Sequence, residues 1–247
     1  TEEFNIVLFK QMAKEAMSKI YASGKIPILV GGTGFYIQPL LYDIDFKDEA
    51  YSDNRLREEL QAFADQNGKE ALHDRLKSVD PESAEVIPAG NIKRVIRALE
   101  FYETHKEKIS SHNKEQKAKE SPYDYAFFVL TDERPLLYER IERRIDIMLE
   151  NGLLAEVEGL KKEGLTRNHI SMQGLGYKEI LSYLEGEISL EEAVYILKRD
   201  TRHFAKRQIT WFKREPDVKW INKSVFNHND EAIFEEMMQY LKNKNII

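Results

Sequence analysis

Three features of this sequence predict an α/β fold with a parallel-sheet core that is interrupted by an all-helical insertion. Residues 26–30 and 125–130 are short, continuously apolar segments, typical of strands buried on both faces of a parallel sheet. Both segments adjoin stretches with apolar residues at helical spacing. Between them, residues 48–121 show helical patterns alone, which indicates an insertion into one core. The predicted domains are therefore 1–47 (core), 48–121 (insertion) and 122–247 (core with C-terminal helices).

The first core segment has the order helix, strand, glycine turn, helix. Residues 4–22 carry apolar side chains at helical spacing, and Gly24 is placed to end that helix. The apolar segment 26–30 leads directly into Gly31-Gly32-Thr33-Gly34, and a second helix is predicted from Phe35. This order is typical of doubly wound α/β domains.

The insertion and the second core segment are predicted from helix caps and apolar periodicity. Helices are expected at 54–66, 71–78 and 91–104, whereas the Lys-, Glu- and Ser-rich segment 105–120 is expected to be mobile and solvated. After the strand at 125–130, a helix begins at Pro135 and ends near Gly152. A capping box at Ser189 begins a helix that reaches residue 213. A short strand at 218–221 and a helix at 231–241 complete the prediction.

The composition excludes several classes of function. The absence of cysteine rules out disulfides, thiolate metal sites and cysteine nucleophiles, and it favours a cytoplasmic protein. The six histidines show no ligand spacing, so no protein-held metal site is predicted. No apolar run approaches the length of a membrane span, so no membrane association is expected. The net charge of −6 argues against a nucleic-acid partner only if charge is evenly distributed, which it is not.

The glycine turn at 31–34 has two possible explanations. It follows a predicted inner strand, where open α/β sheets bind ligands, and glycines let backbone N–H groups approach an anion closely. Thr33 would add a hydroxyl donor. Alternatively, the turn is a tight connection that needs glycine for positive φ angles.

Basic residues are concentrated on three predicted helices. Arg199, Arg202, Lys206 and Lys213 fall within about 60° of one helix face, opposite Leu197, Phe204, Trp211 and Phe212, which are expected in the core. Few acids are interleaved, which favours phosphate binding over an ordinary solvated face. Two smaller sets are Lys93, Arg94 and Arg97, and Arg140, Arg143 and Arg144. Three such helices in an acidic chain favour a polyanionic ligand.

Five of these segments resemble, in order, the tRNA dimethylallyltransferase family. They are GGTGFY (31–36), NIKRVIRALE (91–100), RIERRID (140–146), QGLGYKE (173–179) and TRHFAKRQITWF (201–212). The resemblance implies a P-loop NTPase-like core whose helical insertion grips the anticodon stem-loop of tRNA. It also implies transfer of dimethylallyl from its diphosphate to the exocyclic amine of the adenosine 3′ of the anticodon, with Mg²⁺ assisting. A monomer without an obligate protein partner is expected.

The resemblance also implies roles for individual residues. The expected catalytic residues are Thr33, Arg57 and either Arg140 or Arg144, and Gly31, Gly32, Thr33 and Gly34 are expected to bind the diphosphate. The resemblance and the basic helix together give the expected tRNA-binding residues: Lys93, Arg94, Arg97, Gln173, Gly174, Gly176, Tyr177, Lys178, Arg199, Arg202, Lys206 and Arg207.

The sequence departs from the family pattern at its beginning. The family's P-loop and general-base aspartate precede the region where this chain starts, and no GxxxxGK[ST] motif occurs in the 247 residues. We therefore expect a fragment, with the activity in the intact protein. The alternatives are an isopentenyltransferase acting on free adenine nucleotides, a P-loop small-molecule kinase, and a non-catalytic tRNA-binding module. The helical insertion and the basic helix argue against the first, and the Arg94/Arg97 set argues against the second.

Overall fold

A computed structural model describes residues 4–45 and 54–247 of the chain, and these form two compact units. The first unit comprises residues 30–34 and 124–247, and the second comprises 4–29 and 35–123 within the described ranges. The predicted boundary at 47/48 lies outside the described residues, and the three-part domain assignment stays a prediction. Among residues 4–45 and 54–247, no helix combines the length and apolar character needed to cross a membrane.

The first unit contains a small parallel sheet and most of the C-terminal helices. Strand β1 (Phe127–Thr131) pairs in parallel with β2 (Val218–Asn222), in a register that places Phe127 opposite Val218 and Thr131 opposite Asn222. The helices of this unit are α8 (Arg134–Glu150), α9 (Leu153–Lys162), α10 (Tyr177–Leu184), α11 (Leu190–Phe212) and α12 (Asp230–Asn243), with 3₁₀ turns at Ile170–Gln173 and Lys223–Phe226. Both strands and all of the predicted helices of this region are confirmed.

The core of the first unit lies among α8, α9, α10 and α11. Its buried residues are Ile145, Leu153, Val157, Met172, Ile180, Leu181 and Leu197. Helix α11 packs against both α8 and α10, so its position is fixed along much of its length. The predicted cap at Ser189 is present, because its hydroxyl accepts a hydrogen bond from the Glu192 N–H at 3.1 Å.

The second unit is helical throughout its described part. Its helices are α1 (Ile6–Ala22), α2 (Gly34–Leu41, which begins in the first unit), α3 (Asn54–Asn67), α4 (Lys69–Val79), α5 (Pro81–Val86), α6 (Ile92–His105) and α7 (Ile109–Lys117). A core among α3, α4, α5 and α6 contains Leu60, Ala64, Leu72, Leu76, Ala84, Val95, Ile96, Ala98 and Leu99. Asn91 caps α6 as predicted, and Gly24 has φ 69° after α1.

Two predictions of secondary structure are wrong. Residues 26–30 are not a strand in the structure, and the side chains of Ile28 and Val30 are more than four-fifths exposed. The segment makes no backbone pairing with the described strands, and an apolar run without a neighbouring strand cannot form a ladder.

Segment 105–120 was expected to be mobile, yet it contains helix α7. The buried carboxylate of Asp80 accepts hydrogen bonds from the backbone N–H and hydroxyl of Ser110, at 3.0 and 2.7 Å, at the start of this helix. His112 is buried on the same helix. A partner thirty residues away therefore orders a segment whose own composition predicts mobility.

Candidate functional site

The glycine turn at residues 31–34 is held against helix α11. The side-chain amide of Gln208 donates a hydrogen bond to the Gly32 carbonyl oxygen at 2.7 Å. A Cβ atom at Gly32 would lie 2.2 Å from Gln208 Nε2, and one at Gly34 would lie 2.0 Å from Trp211 Nε1. Neither glycine nor Gly31 has a positive φ. Glycine is therefore required at 34 by the close approach of the Trp211 indole, whereas a Cβ atom at 32 would displace the Gln208 amide; neither position needs glycine for a left-handed turn.

Thr33 lies between these two glycines. Its side chain is exposed, and the next residue, Gly34, is the first residue of α2. A hydroxyl that is exposed on a backbone fixed on both sides can donate a hydrogen bond to a ligand without a large loss of entropy. The geometry is therefore suited to an anion that approaches the turn from solvent.

Beyond Gln208, the exposed side of α11 forms a basic groove. Its lining residues are His203, Lys206, Arg207, Thr210, Trp211 and Arg214, and its volume is about 460 Å³. Lys206, Arg207 and Arg214 are exposed, and no described carboxylate lies within 4 Å of their charged nitrogens. These cations are available to phosphate groups because no protein anion neutralises them directly.

In the N-terminal part of the basic face of α11, the cations have acidic partners. The expectation that this face lacks them is wrong for Arg199 and Arg202. Arg202 pairs with Glu142 of α8, and Lys198 pairs with Asp146 of α8 at 2.6 Å. Arg199 donates to Asp200 at 2.8 Å, and this bond holds the pKa of the Asp200 carboxyl below its usual value. The acids come mainly from a neighbouring helix, so they cannot be seen in the sequence of α11. Phe204, expected in the core, is 38% exposed.

A buried carboxylate orients Arg140 at the end of β1. Asp132 Oδ2 accepts from Arg140 Nη1 at 3.2 Å, and Oδ1 accepts from the Ser224 hydroxyl at 2.5 Å. Burial acts to raise the pKa of Asp132, but hydrogen bonds from Ser224, the Glu133 N–H and Arg140 outweigh it and hold the pKa below its usual value. Arg140 is half exposed and keeps further N–H donors for a ligand. Arg144 is exposed, with no carboxylate within 4 Å in the described ranges.

Residues 173–178 run from the end of the 3₁₀ turn at Ile170–Gln173 into the first turn of α10. Gln173 Nε2 donates to the Arg167 carbonyl oxygen at 3.1 Å, and the Gly176 N–H donates to Glu179 at 2.9 Å. Gly176 has φ 99°, a conformation that favours glycine. Tyr177 donates to Glu156, which raises the pKa of the Tyr177 hydroxyl.

Gly174 and Lys178, in the same segment, make two further contacts. The Gly174 carbonyl accepts a hydrogen bond from the Lys178 N–H at 3.2 Å. The Lys178 ammonium lies 3.5 Å from Asp200 of α11. The start of α10 is therefore linked to α11 at Asp200.

In the second unit, Arg57 contacts the buried side of α6, whereas the basic residues of α6 lie on its exposed side. Arg57 Nη2 donates to Glu100 Oε2 at 2.7 Å, and the other oxygen of this buried carboxylate has no hydrogen-bond partner among the described residues. Lys93, Arg94 and Arg97 are exposed on α6, opposite its apolar face. Lys93 and Arg94 have no carboxylate within 4 Å in the described part of the chain.

The prediction from sequence assigned no role to Gln208, Asp132 or Glu100. Gln208 lies three residues before Trp211, so both occupy one face of α11, and this spacing could have identified the pair. Asp132 directly follows β1, where ligands are often bound in parallel sheets. Nothing in the local sequence of α6 predicts that Glu100 pairs with a residue 43 positions away.

The chain was compared with known families and structures. The model of the family described as "IPP transferase" matches residues 1–215. The chain belongs to the IPP transferase family. A protein of Lachnoclostridium phytofermentans named tRNA dimethylallyltransferase is 57% identical over 246 residues, covering 100% of this chain and 78% of the relative. This shows the family independently.

The fold of the chain is similar to the folds of solved structures. A full-length tRNA isopentenylpyrophosphate transferase from Bacillus halodurans is similar with a TM-score of 0.67 and 37% identity, covering 99% of this chain and 76% of that one. A eukaryotic dimethylallyltransferase described as acting on tRNA gives a TM-score of 0.75 at 29% identity, over 90% of this chain and 57% of that one. This IPP transferase is thus a mostly helical α/β protein with a small parallel sheet.

Proposed function

We propose that this IPP transferase moves a dimethylallyl group from dimethylallyl diphosphate to the exocyclic amine of the adenosine 3′ of the anticodon in tRNA. The observation that carries the proposal is the 57% identity, over the whole chain, to a relative named tRNA dimethylallyltransferase. A solved family structure described as acting on tRNA supports the same acceptor. The proposal concerns the encoded protein, of which these 247 residues form all or part.

The finer architecture belongs to the same proposal. The first unit would be a P-loop NTPase-like core, which the parallel pairing of β1 with β2 supports. The helices within residues 48–121 would be an insertion that grips the anticodon stem-loop, and the exposed Lys93 and Arg94 of α6 support this. We further propose that the enzyme is monomeric and cytoplasmic; the cysteine-free composition supports the second of these.

The reaction requires one bond to form and one to break. The adenosine amine nitrogen attacks the first carbon of the dimethylallyl group, and the bond from that carbon to the diphosphate oxygen breaks. The electron pair leaves with pyrophosphate, and the amine loses a proton to a base. Because charge accumulates on the leaving oxygens, cations and fixed donors near them accelerate the step.

Thr33 and Arg140 are the described residues best suited to these oxygens. The Thr33 hydroxyl is exposed between two glycines that contact α11. Arg140 is oriented by the buried Asp132, and its unused N–H groups can donate to a diphosphate. Arg57, oriented by Glu100, would also contact the substrate.

The acceptor would be bound through its phosphates. The α11 basic groove offers Lys206 and Arg207, and residues 173–178 present the start of α10, which hydrogen bonds from Gln173 and the Gly176 N–H fix in place. An adenosine stacked in an anticodon loop must be extruded before transfer, at a cost of a few kcal/mol. Phosphate contacts can supply that energy because each contact releases counterions.

Mg²⁺ is the proposed cofactor. This ion commonly keeps several waters and binds through substrate phosphates, so it needs no dedicated set of protein ligands in this chain. When bound, Mg²⁺ would neutralise charge on the diphosphate. The residues of this chain would then orient the diphosphate and donate hydrogen bonds to its oxygens.

The role of Thr33 can be tested in the encoded protein. Thr33→Ala should lower the transfer rate by about 10²-fold, the usual effect of removing one preorganised donor. Thr33→Ser is the matched control, because it keeps the hydroxyl and should retain most of the activity. Transfer by Thr33→Ala at the wild-type rate would remove Thr33 from the site.

A further inference from the structure

We infer that Gln208 is a positioning residue for the reaction, which fixes the glycine turn to helix α11 and thereby holds Thr33 toward the diphosphate. The inference rests on the proposed function of Thr33. Gln208 itself would not touch the reacting atoms. It would act through the backbone of Gly32, to which its side-chain amide donates at 2.7 Å.

The contacts with α11 lie on both sides of Thr33. Gly32 receives the Gln208 hydrogen bond, and Gly34 lies against the Trp211 indole, at a distance that leaves no room for a Cβ atom. Thr33 is therefore the one residue between two points of attachment to the same helix. A turn held in this way can keep a hydroxyl within the small displacement that catalysis tolerates.

The turn has few other restraints in the described chain. Residues 26–32 make no backbone–backbone hydrogen bond there, and Val30 and Gly31 are exposed. The Gln208 amide is thus the donor that satisfies the Gly32 carbonyl. Without it, the turn would keep only the packing of Gly34 on Trp211, and Thr33 would sample more positions.

Helix α11 itself is well fixed. It packs against α8 and α10 and is tied to α8 by the Arg202–Glu142 and Lys198–Asp146 pairs, and beyond Gln208 its buried Phe212 packs against the Phe127 ring of β1. Gln208 therefore projects from a rigid element, which a positioning residue requires. The two preceding residues, Lys206 and Arg207, line the α11 basic groove. One helix therefore carries both the groove proposed for RNA and the residue that fixes the turn.

The test measures kcat, the KM for dimethylallyl diphosphate, tRNA affinity and thermal stability in the encoded protein. Gln208→Ala removes the side chain, whereas Gln208→Glu keeps its length and replaces the donor with a carboxylate. Each should lower kcat by about 10²-fold, because a displacement of the order of 1 Å can cost that much. Tm and tRNA affinity should stay near the wild-type values. Gln239→Ala is the matched control, since Gln239 is exposed on α12 and bonds only within its own helix.

A double-mutant cycle with Thr33→Ala separates positioning from a general structural role. If Gln208 acts through Thr33, adding Gln208→Ala to Thr33→Ala should lower kcat no more than about three-fold further. Full multiplication of the two effects, or a kcat for Gln208→Ala and Gln208→Glu equal to that of Gln239→Ala, would overturn the inference. A normal rate for Thr33→Ala would instead refute the proposed function of Thr33, so the two failures can be told apart.

Discussion

The salt dependence of tRNA binding should distinguish the cations on the basic surface of α11. Its cations divide into two classes, because Arg202 pairs with Glu142 whereas Arg207 has no described carboxylate within 4 Å. Neutralising an RNA phosphate releases counterions only when the cation is not already neutralised by a protein anion. Arg207→Ala should therefore change the salt dependence of tRNA binding more than Arg202→Ala, although both substitutions remove one arginine from the same helix.

The expected magnitude follows from the number of available cations. Six exposed cations in the described ranges lack a carboxylate within 4 Å and lie on the proposed RNA-binding surfaces: Lys93, Arg94, Lys206, Arg207, Lys213 and Arg214. If all six neutralise phosphates, affinity should fall by roughly 10³-fold between about 50 and 200 mM salt. Arg207→Ala should reduce the log–log slope by about 0.7 to 0.9, the contribution of one phosphate contact.

The assay is equilibrium retention of an anticodon stem-loop, titrated at five or more salt concentrations with wild type, Arg207→Ala and Arg202→Ala. We expect a clearly flatter slope for Arg207→Ala and a slope close to wild type for Arg202→Ala. Equal slopes for the three proteins would contradict phosphate binding by the groove. A flatter slope for Arg202→Ala alone would show that the Glu142 pair opens when RNA binds.

Two further predictions concern stability. Asp80→Ala should lower the free energy of unfolding of the second unit by about 3 kcal/mol, because this fully buried carboxylate accepts four hydrogen bonds from Ser83 and Ser110. Urea unfolding should show a much smaller loss for Asp65→Ala, whose carboxylate is exposed. Burial acts to raise the pKa of Asp80, but these hydrogen bonds hold it below its usual value, so its stabilisation is present above about pH 4 and is lost as pH falls through the lower folded-state pKa. An Asp80→Asn protein should therefore lose less stability on acidification than wild type, and an equal loss would contradict the assignment. Gly34→Ala should destabilise the first unit by roughly 1 to 3 kcal/mol through its clash with Trp211, whereas Gly159→Ala, with open space around it, should be neutral or stabilising; equal effects in thermal unfolding would show that the turn tolerates a Cβ atom.

Local signals in the sequence predicted most of the helices correctly. Asn91 and Ser189 cap α6 and α11 as expected, because capping depends on residues only three positions apart. Strands at β1 and β2 were also predicted, and for β1 the signal was a continuous apolar run, which is typical of a buried strand. The family followed from five short motifs in order.

The errors arose where structure depends on distant residues. The apolar run at 26–30 has the composition of a strand, but pairing depends on a neighbouring strand and not on composition. Helix α7 is anchored by Asp80, thirty residues earlier in the chain. Glu142 and Asp146 reach α11 from α8, so the pattern of α11 alone could not distinguish its paired cations from its free ones.

In the candidate site too, the local features could be predicted from sequence and the contacts between distant residues could not. The glycine turn was recognised from sequence, and two explanations for it were left open. The structure excludes positive φ at Gly31, Gly32 and Gly34, and it gives close contact with the Trp211 indole as the reason for glycine at 34. The Gln208–Gly32 bond joins residues 176 positions apart, so the local spacing indicates that Gln208 and Trp211 share a face of α11 but not that this face meets the turn. The catalytic and tRNA-binding roles of the individual residues stay predictions.

The most direct test of the central claim is to incubate the encoded protein with labelled dimethylallyl diphosphate and Mg²⁺, and to measure label in three acceptors. The acceptors are a tRNA with adenosine 3′ of the anticodon, the same tRNA with guanosine at that position, and adenosine monophosphate. We predict that label enters only the first, because the proposed acceptor is that adenosine amine and the basic surfaces bind tRNA phosphates. Label in adenosine monophosphate but not in tRNA, or no label in any acceptor, would contradict the proposed function.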